Sequence, residues 1–340
     1  MTMVQDISPH AAANSDPIIA VRDLKVHFKV GTRGETVKAV DGVSFDIKRG
    51  ETIGIIGESG SGKSTLARVL VALLKPTAGS IAQNGANPFA LSAEQQRRLH
   101  RDFQIIFQDP HAALNPRARI IDSVREPLEI AGVGGNKAER SEIALTILRR
   151  VGINAELVNR YPHELSGGQK QRINIARALI LKPKLLVADE ATAALDVSIQ
   201  ADILNLYMDL KEEFNLTFVC ITHDLAVAMH VSDVIAVMYL GVIVEYAPSG
   251  VIHHHGAHPY TRALLSAEPA VLPKRLQSGQ RIILQGEIPS PVSPPSGCRF
   301  RTRCPIAQSV CAEKVPEFRP LSDGHLVACH FPLVEQGTSS

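Results

Sequence analysis

The stretch that decides the fold is Gly57-Glu58-Ser59-Gly60-Ser61-Gly62-Lys63-Ser64-Thr65. It matches the pattern G-x-x-x-x-G-K-[ST], in which glycines let backbone N–H groups surround a phosphate. The apolar run 52–56 before it predicts a buried strand, and residues 66–74 after it predict a helix whose positive end faces that phosphate. We therefore expect Lys63 to bind the β- and γ-phosphates of a nucleoside triphosphate and the Ser64 hydroxyl to bind Mg²⁺.

Length and charge limit the possible functions only broadly. The chain has 340 residues, enough for a large core and a second small domain. Its 36 Lys and Arg residues nearly balance its 34 Asp and Glu residues, so composition gives no reason to expect a nucleic-acid partner. No apolar run is long enough to span a bilayer, and residues 1–16 lack the basic segment of a signal peptide. We expect a disordered leader at 1–16 and a protein in the cytosol or docked on a membrane from the cytosolic side.

Two predicted strands, 18–30 and about 37–47, precede the phosphate loop. They are not part of a minimal phosphate-loop core, and they could form a small β layer that carries an aromatic residue to the nucleotide base. Phe28 is the candidate for this stacking role, and a position in the apolar core is the alternative.

A glutamine follows the next predicted strand of the core. Residues 103–107 predict a strand that ends at Gln108, shortly before Pro110. At the end of a strand, the amide of Gln108 can sense the γ-phosphate of a bound nucleotide, although a solvated glutamine is the simpler interpretation. Residues 111–160 have a helical pattern that is interrupted at 132–135.

A second anion-binding helix terminus is predicted at Leu165-Ser166-Gly167-Gly168-Gln169. Ser166 is expected to cap the helix, and the two glycines expose backbone amides in its first turn. The helix is followed by the buried strand 185–188, which leads into Asp189 and Glu190. Asp189 suits the acid that holds Mg²⁺, and Glu190 suits the base that polarises the attacking water; an ordinary helix cap is the alternative.

These motifs together resemble the ABC-type ATPases, over residues 17 to about 250. The resemblance implies an α/β fold with a RecA-like core, an antiparallel β layer and a helical signature subdomain. It also implies ATP and Mg²⁺ as ligands and a head-to-tail dimer with a second ABC ATPase subunit. In that dimer, the signature residues of one subunit complete the phosphate site of the other: Ser166, Gly167, Gly168 and Gln169.

The resemblance assigns four further positions. Phe28 matches the family's base-stacking aromatic residue, and Gln108 matches the Q-loop glutamine, a catalytic residue and a ligand of Mg²⁺. Asp196 matches the aspartate of the D-loop, here Ala194-Leu195-Asp196. His223, which follows a predicted strand, matches the switch histidine that contacts the γ-phosphate.

The C-terminal part resembles the extension of dipeptide/oligopeptide importer ATPases, and the chain is most similar to their "F"-type subunits. The resemblance rests on residues 258–265, 286–291 and 294–305. It predicts a cassette at 17–252 and an extension at 253–335. It also implies a "D"-type ATPase partner, two transmembrane permease subunits and an extracytoplasmic peptide-binding protein. The protein would then couple ATP hydrolysis to peptide import at the cytoplasmic face of the inner membrane.

Two alternatives remain open at this point. One is an importer subunit for another solute, such as nickel, glutathione or an opine, because the permease and the binding protein select the solute. The other is a soluble ABC ATPase without a permease, acting in DNA repair or translation. Such proteins usually show tandem cassettes, a coiled-coil insertion or a strongly basic surface, and the sequence shows none of these.

Four cysteines lie close together in the extension: Cys298, Cys304, Cys311 and Cys329. Two disulfides would suit a secreted protein, and structural zinc normally uses a closely spaced C-x₂₋₄-C pair, which the extension lacks. Thiolates at wider spacing can hold an iron–sulfur cluster, and the resemblance points to [4Fe–4S] with a structural or redox-regulatory role. Four unligated cysteines are the alternative. The fifth cysteine, Cys220, is predicted to pack inertly in a buried strand.

Two further patterns have a simple and a functional interpretation. His253-His254-His255 with His258 could bind a metal, although a solvated linker is favoured. Arg299, Arg301 and Arg303 alternate along the chain and could face either solvent or anionic lipid headgroups.

Overall fold

The computed structural model describes residues 16–31, 34–110, 112–193, 195–267 and 282–334. Within these ranges the strands are β1 (Ile19–Val30), β2 (Glu35–Ile47), β3 (Thr52–Ile56), β4 (Ala78–Gln83), β5 (Phe103–Ile106), β6 (Leu185–Asp189), β7 (Thr217–Thr222), β8 (Val234–Tyr239), β9 (Val242–Pro248), β10 (Arg319–Ser322) and β11 (His325–Val327). The α-helices are α1 (Lys63–Leu70), α2 (Ala93–Asp102), α3 (Ile120–Ala131), α4 (Lys137–Arg150), α5 (Gly167–Leu179), α6 (Val197–Phe214), α7 (Leu225–Val231), α8 (Ser249–His255), α9 (Pro259–Ala267) and α10 (Val310–Glu313). None of these helices has the length and apolar character that a membrane crossing requires. The predicted leader, 1–16, lies outside the described residues apart from Asp16.

The central sheet has the strand order β10-β11-β9-β8-β3-β7-β6-β5. The strands β8, β3, β7, β6 and β5 run parallel. Every residue of β3, β6 and β7 is buried, which explains why these strands are continuous apolar runs in the sequence. Because neighbouring parallel strands end at the same edge, the segments that follow them meet there.

The predicted antiparallel layer is present, with the strand order β2-β1-β4. Its inner face belongs to the same apolar cluster as α1, through residues such as Val21, Ile81 and Leu66. Phe28 lies on β1 but is 38% exposed, so it is not a core residue.

The helical subdomain is formed by α3, α4 and α5, which pack together through buried residues such as Val124, Leu148 and Leu179. The predicted interruption at 132–135 separates α3 from α4. Gly132 ends α3 in the left-handed region, at φ 65°, where glycine carries no steric cost.

The C-terminal part continues the central sheet of the cassette. β11 pairs with β9 in antiparallel register, Leu326 with Tyr246 and Val327 with Glu245. The three consecutive histidines form the last turn of α8, so this segment is helical. No local sequence pattern indicates this pairing, because β9 and β11 are far apart along the chain.

The buried carboxylate of Glu245 links β9 of the cassette to the C-terminal part through hydrogen bonds. Glu245 is fully buried and accepts hydrogen bonds from the N–H groups of Ala257 (2.6 Å) and His258 (2.9 Å). His325 Nε2 lies 2.7 Å from the same side chain. Burial lowers the pKa of His258 to about 4. With three hydrogen-bonding partners, the carboxylate of Glu245 recovers the solvation that it loses on burial.

Candidate nucleotide-binding and hydrolysis site

The phosphate loop connects β3 to α1 and is shaped by two close backbone contacts. Gly57 and Gly62 have φ angles of 156° and 102°. A Cβ atom on Gly57 would lie 2.1 Å from the carbonyl oxygen of Met238, and one on Gly62 would lie 2.0 Å from that of Ala39. Glycine is therefore required at both positions, and the loop can only follow the path that places Lys63 at the start of α1.

Lys63 is almost completely buried in this loop, at 4% exposure. Its ammonium group donates to the carbonyls of Gly57 (2.8 Å) and Glu58 (3.0 Å) and lies 3.6 Å from Glu190 Oε1. Burial lowers the pKa of Lys63, and the neighbouring Glu190 carboxylate opposes that shift. The loop thus holds one cation that can interact with phosphate oxygens.

Ser64 and Asp189 form a pair of oxygen ligands beside the loop. Ser64 Oγ donates to Asp189 Oδ1 at 2.9 Å, at the carboxyl end of β6. Burial raises the pKa of Asp189, and the hydrogen bond from Ser64 opposes that shift. A hydroxyl and a carboxylate are hard oxygen donors of the kind that Mg²⁺ binds, so this pair fits the predicted ion.

Glu190 is the meeting point of the predicted catalytic residues. Gln108 Nε2 donates to Glu190 Oε2 at 3.1 Å, and His223 Nδ1 lies 3.5 Å from the same oxygen. Lys63 lies beside the other carboxylate oxygen. Glu190 itself has a positive φ of 48°, an uncommon conformation that aims its side chain from the end of β6. Residues from three separate segments thus surround the carboxylate of Glu190.

The signature segment forms the capped helix start that the sequence predicted. Ser166 Oγ accepts from the N–H of Gln169 at 3.3 Å, and Gln169 Oε1 accepts from the N–H of Ser166 at 3.0 Å. The first turn of α5, beginning at Gly167, contains no acidic residue. A Cβ atom on Gly168 would lie 2.7 Å from Ile199 Cγ2, because α5 packs closely on α6 there.

Two further predicted site residues, Asp196 and Phe28, lie at the surface. Asp196 is the exposed residue at the start of α6, and the adjacent Val197 is 84% exposed. Phe28 is exposed on the antiparallel layer. Ala194, the first residue of the predicted D-loop, lies outside the described residues.

Sequence reasoning missed a second set of residues at the phosphate loop. Tyr260 and Arg303, both from the C-terminal part, hydrogen-bond Glu58. No local pattern pointed to these contacts, because the partners are more than 200 positions apart. The only signal was the alternation of Arg299, Arg301 and Arg303, for which we had expected a solvent- or lipid-facing surface.

The four cysteines of the extension lie near one another. The N–H of Cys298 donates to the carbonyl of Cys311 at 2.8 Å. Burial raises the pKa of Cys329 to about 11, and the other three thiols act in the same direction. Even so, no group of three or more candidate ligands surrounds a single ion position anywhere in the described ranges. Cys220 is buried in β7 with its pKa raised to about 12, as expected of an inert packing residue.

Comparison with known proteins identifies the family. Residues 40–193 match the ABC transporter family, and residues 244–311 match the C-terminal region of oligopeptide/dipeptide transporters. The chain therefore belongs to the ATP-binding proteins of ABC transporters, in the group defined by the oligopeptide/dipeptide transporter C-terminal region. It is 47% identical over 325 residues to the oligopeptide transport ATP-binding protein AppF of Bacillus subtilis, covering 94% of this chain and 98% of that protein. It is 48% identical over 320 residues to the di/tripeptide transport ATP-binding protein DppF of Pseudomonas aeruginosa, covering 93% and 98%.

Solved ABC cassettes confirm the fold. The ATP-binding cassette MJ0796, solved as a dimer in a post-hydrolysis state bound to ADP and Pi, matches with a TM-score of 0.62 and 32% identity. The match covers 68% of this chain and 98% of the cassette. CbiO1 from Clostridium perfringens, part of the ABC transporter complex cbiONQ, matches with a TM-score of 0.63 and 27% identity, covering 77% and 98%. The predicted ABC cassette, with its α/β core and antiparallel layer, is thus confirmed.

Proposed function

We propose that this chain is the ATP-hydrolysing, energy-coupling subunit of an ABC importer for dipeptides or oligopeptides. The observation that carries the proposal is the convergence of Lys63, Gln108 and His223 on Glu190. The C-terminal match to oligopeptide/dipeptide transporters, with relatives near 50% identity, supports the peptide class of solute.

The geometry supports hydrolysis by attack of water on the γ-phosphorus. Glu190 accepts the proton of the water as the new P–O bond forms and the bond from the γ-phosphorus to the bridging oxygen breaks, giving ADP and phosphate. Gln108 and His223, which contact Glu190, orient the water and the γ-phosphate. Lys63 neutralises charge on the β- and γ-phosphates, and Mg²⁺ held by Ser64, Asp189 and Gln108 would neutralise the remainder.

The other residues of the nucleotide site bind ATP but take no part in breaking the phosphate bond. The backbone N–H groups of the loop contact the phosphates at Gly57, Ser59, Gly60, Ser61, Gly62 and Thr65. Glu58 belongs to the same loop, but its N–H donates to Tyr260. Phe28 stacks on the base of the nucleotide, which suits its exposed position on β1.

A second ABC ATPase subunit completes the site in this proposal. Ser166 is exposed at the start of α5, and the first turn of that helix lacks acidic residues, so its amides can receive a partner's γ-phosphate. The exposed Asp196 and Val197 lie at the start of α6, against which α5 packs. MJ0796 was solved as a dimer, which supports a dimeric arrangement of such cassettes. In this group of transporters, we expect the partner to be a related "D"-type subunit.

A cleft beside Gln108 suits the permease. It has a volume of about 450 Å³ and lies between β5, α3 and α5. Its lining includes the exposed Phe107 together with Pro127 and Arg177. We place the coupling helices of two transmembrane permease subunits here, with the chain at the cytoplasmic face of the membrane. An extracytoplasmic binding protein delivers the peptide to them.

We also propose a [4Fe–4S] cluster in the extension, residues 253–335. Burial raises the thiol pKa of Cys298, Cys304 and Cys329, which disfavours free thiolates, and iron ligation would offset that cost. The four thiols lie close enough to interact electrostatically. A cluster is larger than one ion, so it does not require three ligands around a single point. The cluster would stabilise the fold or regulate it through its redox state.

Glu190→Gln is the variant that tests the mechanism. We expect Mg-ATP binding to persist and turnover in the assembled transporter to fall by about 10²–10⁴-fold, because an amide cannot accept the proton of the water. Phosphate release and nucleotide affinity are the measurements, with the exposed Glu212→Gln as the control that keeps wild-type turnover. A wild-type rate for Glu190→Gln would show that the assigned base is wrong.

Reconstitution tests the transport role. The chain, its partner ATPase, the permease subunits and the binding protein are placed in proteoliposomes, and uptake of labelled dipeptides and oligopeptides is followed. We expect uptake that requires both ATP and this chain, with low ATPase activity of the chain alone. Uptake of nickel, glutathione or an opine in place of peptides would contradict the peptide assignment. Full ATPase activity of a strictly monomeric chain would contradict the dimer mechanism.

Metal analysis tests the cluster. Anaerobic purification should yield a brown protein with about four iron atoms per chain, and Cys304→Ser should lose them. Cys220→Ser is the matched control and should retain the iron, because Cys220 lies in β7 of the cassette. A colourless protein with one zinc ion per chain, or with no metal, would overturn the cluster and leave the ATPase assignment intact.

A further inference from the structure

The C-terminal extension reaches into the phosphate loop at Glu58. The guanidinium of Arg303 forms a two-pronged ion pair with the Glu58 carboxylate, at 2.6 Å and 3.0 Å. The side chain of Arg303 is 8% exposed and that of Glu58 is 25% exposed. A paired arginine and carboxylate in this geometry fix each other's orientation as well as their charge.

A second contact holds the backbone of the same residue. The N–H of Glu58 donates to the hydroxyl of Tyr260 on α9, at 2.9 Å, and Tyr260 is fully buried. The carbonyl of Glu58 accepts from Lys63 Nζ at 3.0 Å. The N–H, the carbonyl and the carboxylate of Glu58 therefore all have assigned partners, and two of the three come from the extension.

The side chain of Arg303 packs against a cluster of aromatic side chains. Its guanidinium lies 5.9 Å from the ring centre of Tyr239 and 3.4 Å from that residue's hydroxyl. Phe300 packs edge-on against Tyr239 at 5.2 Å, and its carbonyl accepts from the N–H of Arg303 at 3.0 Å. Tyr260 completes the cluster at 4.8 Å from Tyr239. Arg303 and Tyr260, which both hydrogen-bond Glu58, thus pack in the same aromatic cluster.

The charge of Glu58 makes this contact consequential for nucleotide binding. A carboxylate in a phosphate loop repels a triphosphate unless a cation neutralises it. Arginine keeps its charge in proteins, so the ion pair between Arg303 and Glu58 supplies that neutralisation. A nearby cation at the same loop, Lys63, is already engaged with loop carbonyls and with Glu190.

We propose that Arg303 and Tyr260 are positioning residues for ATP binding, through which the C-terminal extension sets the nucleotide affinity of the phosphate loop. Arg303 neutralises the Glu58 carboxylate and fixes its direction, and Tyr260 fixes the Glu58 backbone next to the carbonyl that holds Lys63. The inference rests on nucleotide binding at this loop and is independent of the transported solute.

Mg-ATP dissociation constants of the full-length chain, measured by calorimetry, test this proposal. Arg303→Ala should weaken binding about tenfold, because it leaves the carboxylate unpaired. Arg303→Lys should fall between wild type and Arg303→Ala, since it keeps the charge and loses the two-pronged geometry. The control is Arg301→Ala, which should match wild type, because Arg301 bonds Ser296 within the extension.

A rescue experiment separates positioning from general destabilisation. The double variant Glu58→Gln/Arg303→Ala should regain affinity to within about twofold of wild type, because a neutral side chain needs no counter-charge. Tyr260→Phe should weaken binding about threefold while keeping the aromatic packing. Affinity of Arg303→Ala within twofold of wild type would overturn the proposal, and so would a double variant as weak as Arg303→Ala. If Arg303→Ala does not fold, wild-type affinity in both Arg303→Lys and Tyr260→Phe would overturn it. A wild-type chain that fails to bind Mg-ATP would overturn both this inference and the proposed function.

Discussion

The phosphate loop packs against two backbone carbonyls, those of Ala39 and Met238. These carbonyls occupy the space that side chains at Gly62 and Gly57 would need. This steric constraint leaves the chain one path from β3 into α1. Lys63 follows from that path, because its position at the first residue of α1 lets its ammonium group turn back to the loop carbonyls and towards Glu190. Without these two close contacts, neither the path of the phosphate loop nor the position of Lys63 beside Glu190 would be fixed.

Charge balance at the site links the two parts of the chain. Three acids, Glu58, Asp189 and Glu190, surround a loop that must receive a triphosphate. Ser64 bonds one of them, Lys63 lies beside another, and Arg303 from the extension pairs with the third. The ends of the parallel strands supply the first two arrangements, whereas the third comes from the C-terminal extension.

The features that the sequence predicts well involve residues that are contiguous in the chain or lie at the ends of apolar strands. β3 has the expected bounds, Ser166 caps α5, and Gln108, Glu190 and His223 meet because parallel neighbours end at one edge. The helix after the phosphate loop is shorter than expected: α1 ends at Leu70, and Ala72 then turns into the left-handed region at φ 59°. Helical composition continues past that point, so composition alone could not place the end.

What sequence could not predict depends on contacts between distant segments. The pairing of β9 with β11 and the bond between Arg303 and Glu58 join residues that no repeat or spacing relates. A local sequence pattern predicts which side chains share one face of an element, but not what that face contacts. An arginine in an alternating pattern can therefore face solvent, lipid headgroups or a buried carboxylate. Only the fold decides among these.

We propose Lys63 as the cation that the loop presents to the phosphates, and the Mg-ATP affinity of Lys63→Ala tests this role most directly. We predict binding at least about tenfold weaker than wild type, because one charged hydrogen-bond donor to the phosphates is lost. Lys75→Ala, an exposed lysine just beyond the turn after α1, should bind Mg-ATP as wild type does. Unchanged affinity in Lys63→Ala would contradict the assignment of this loop as the nucleotide site.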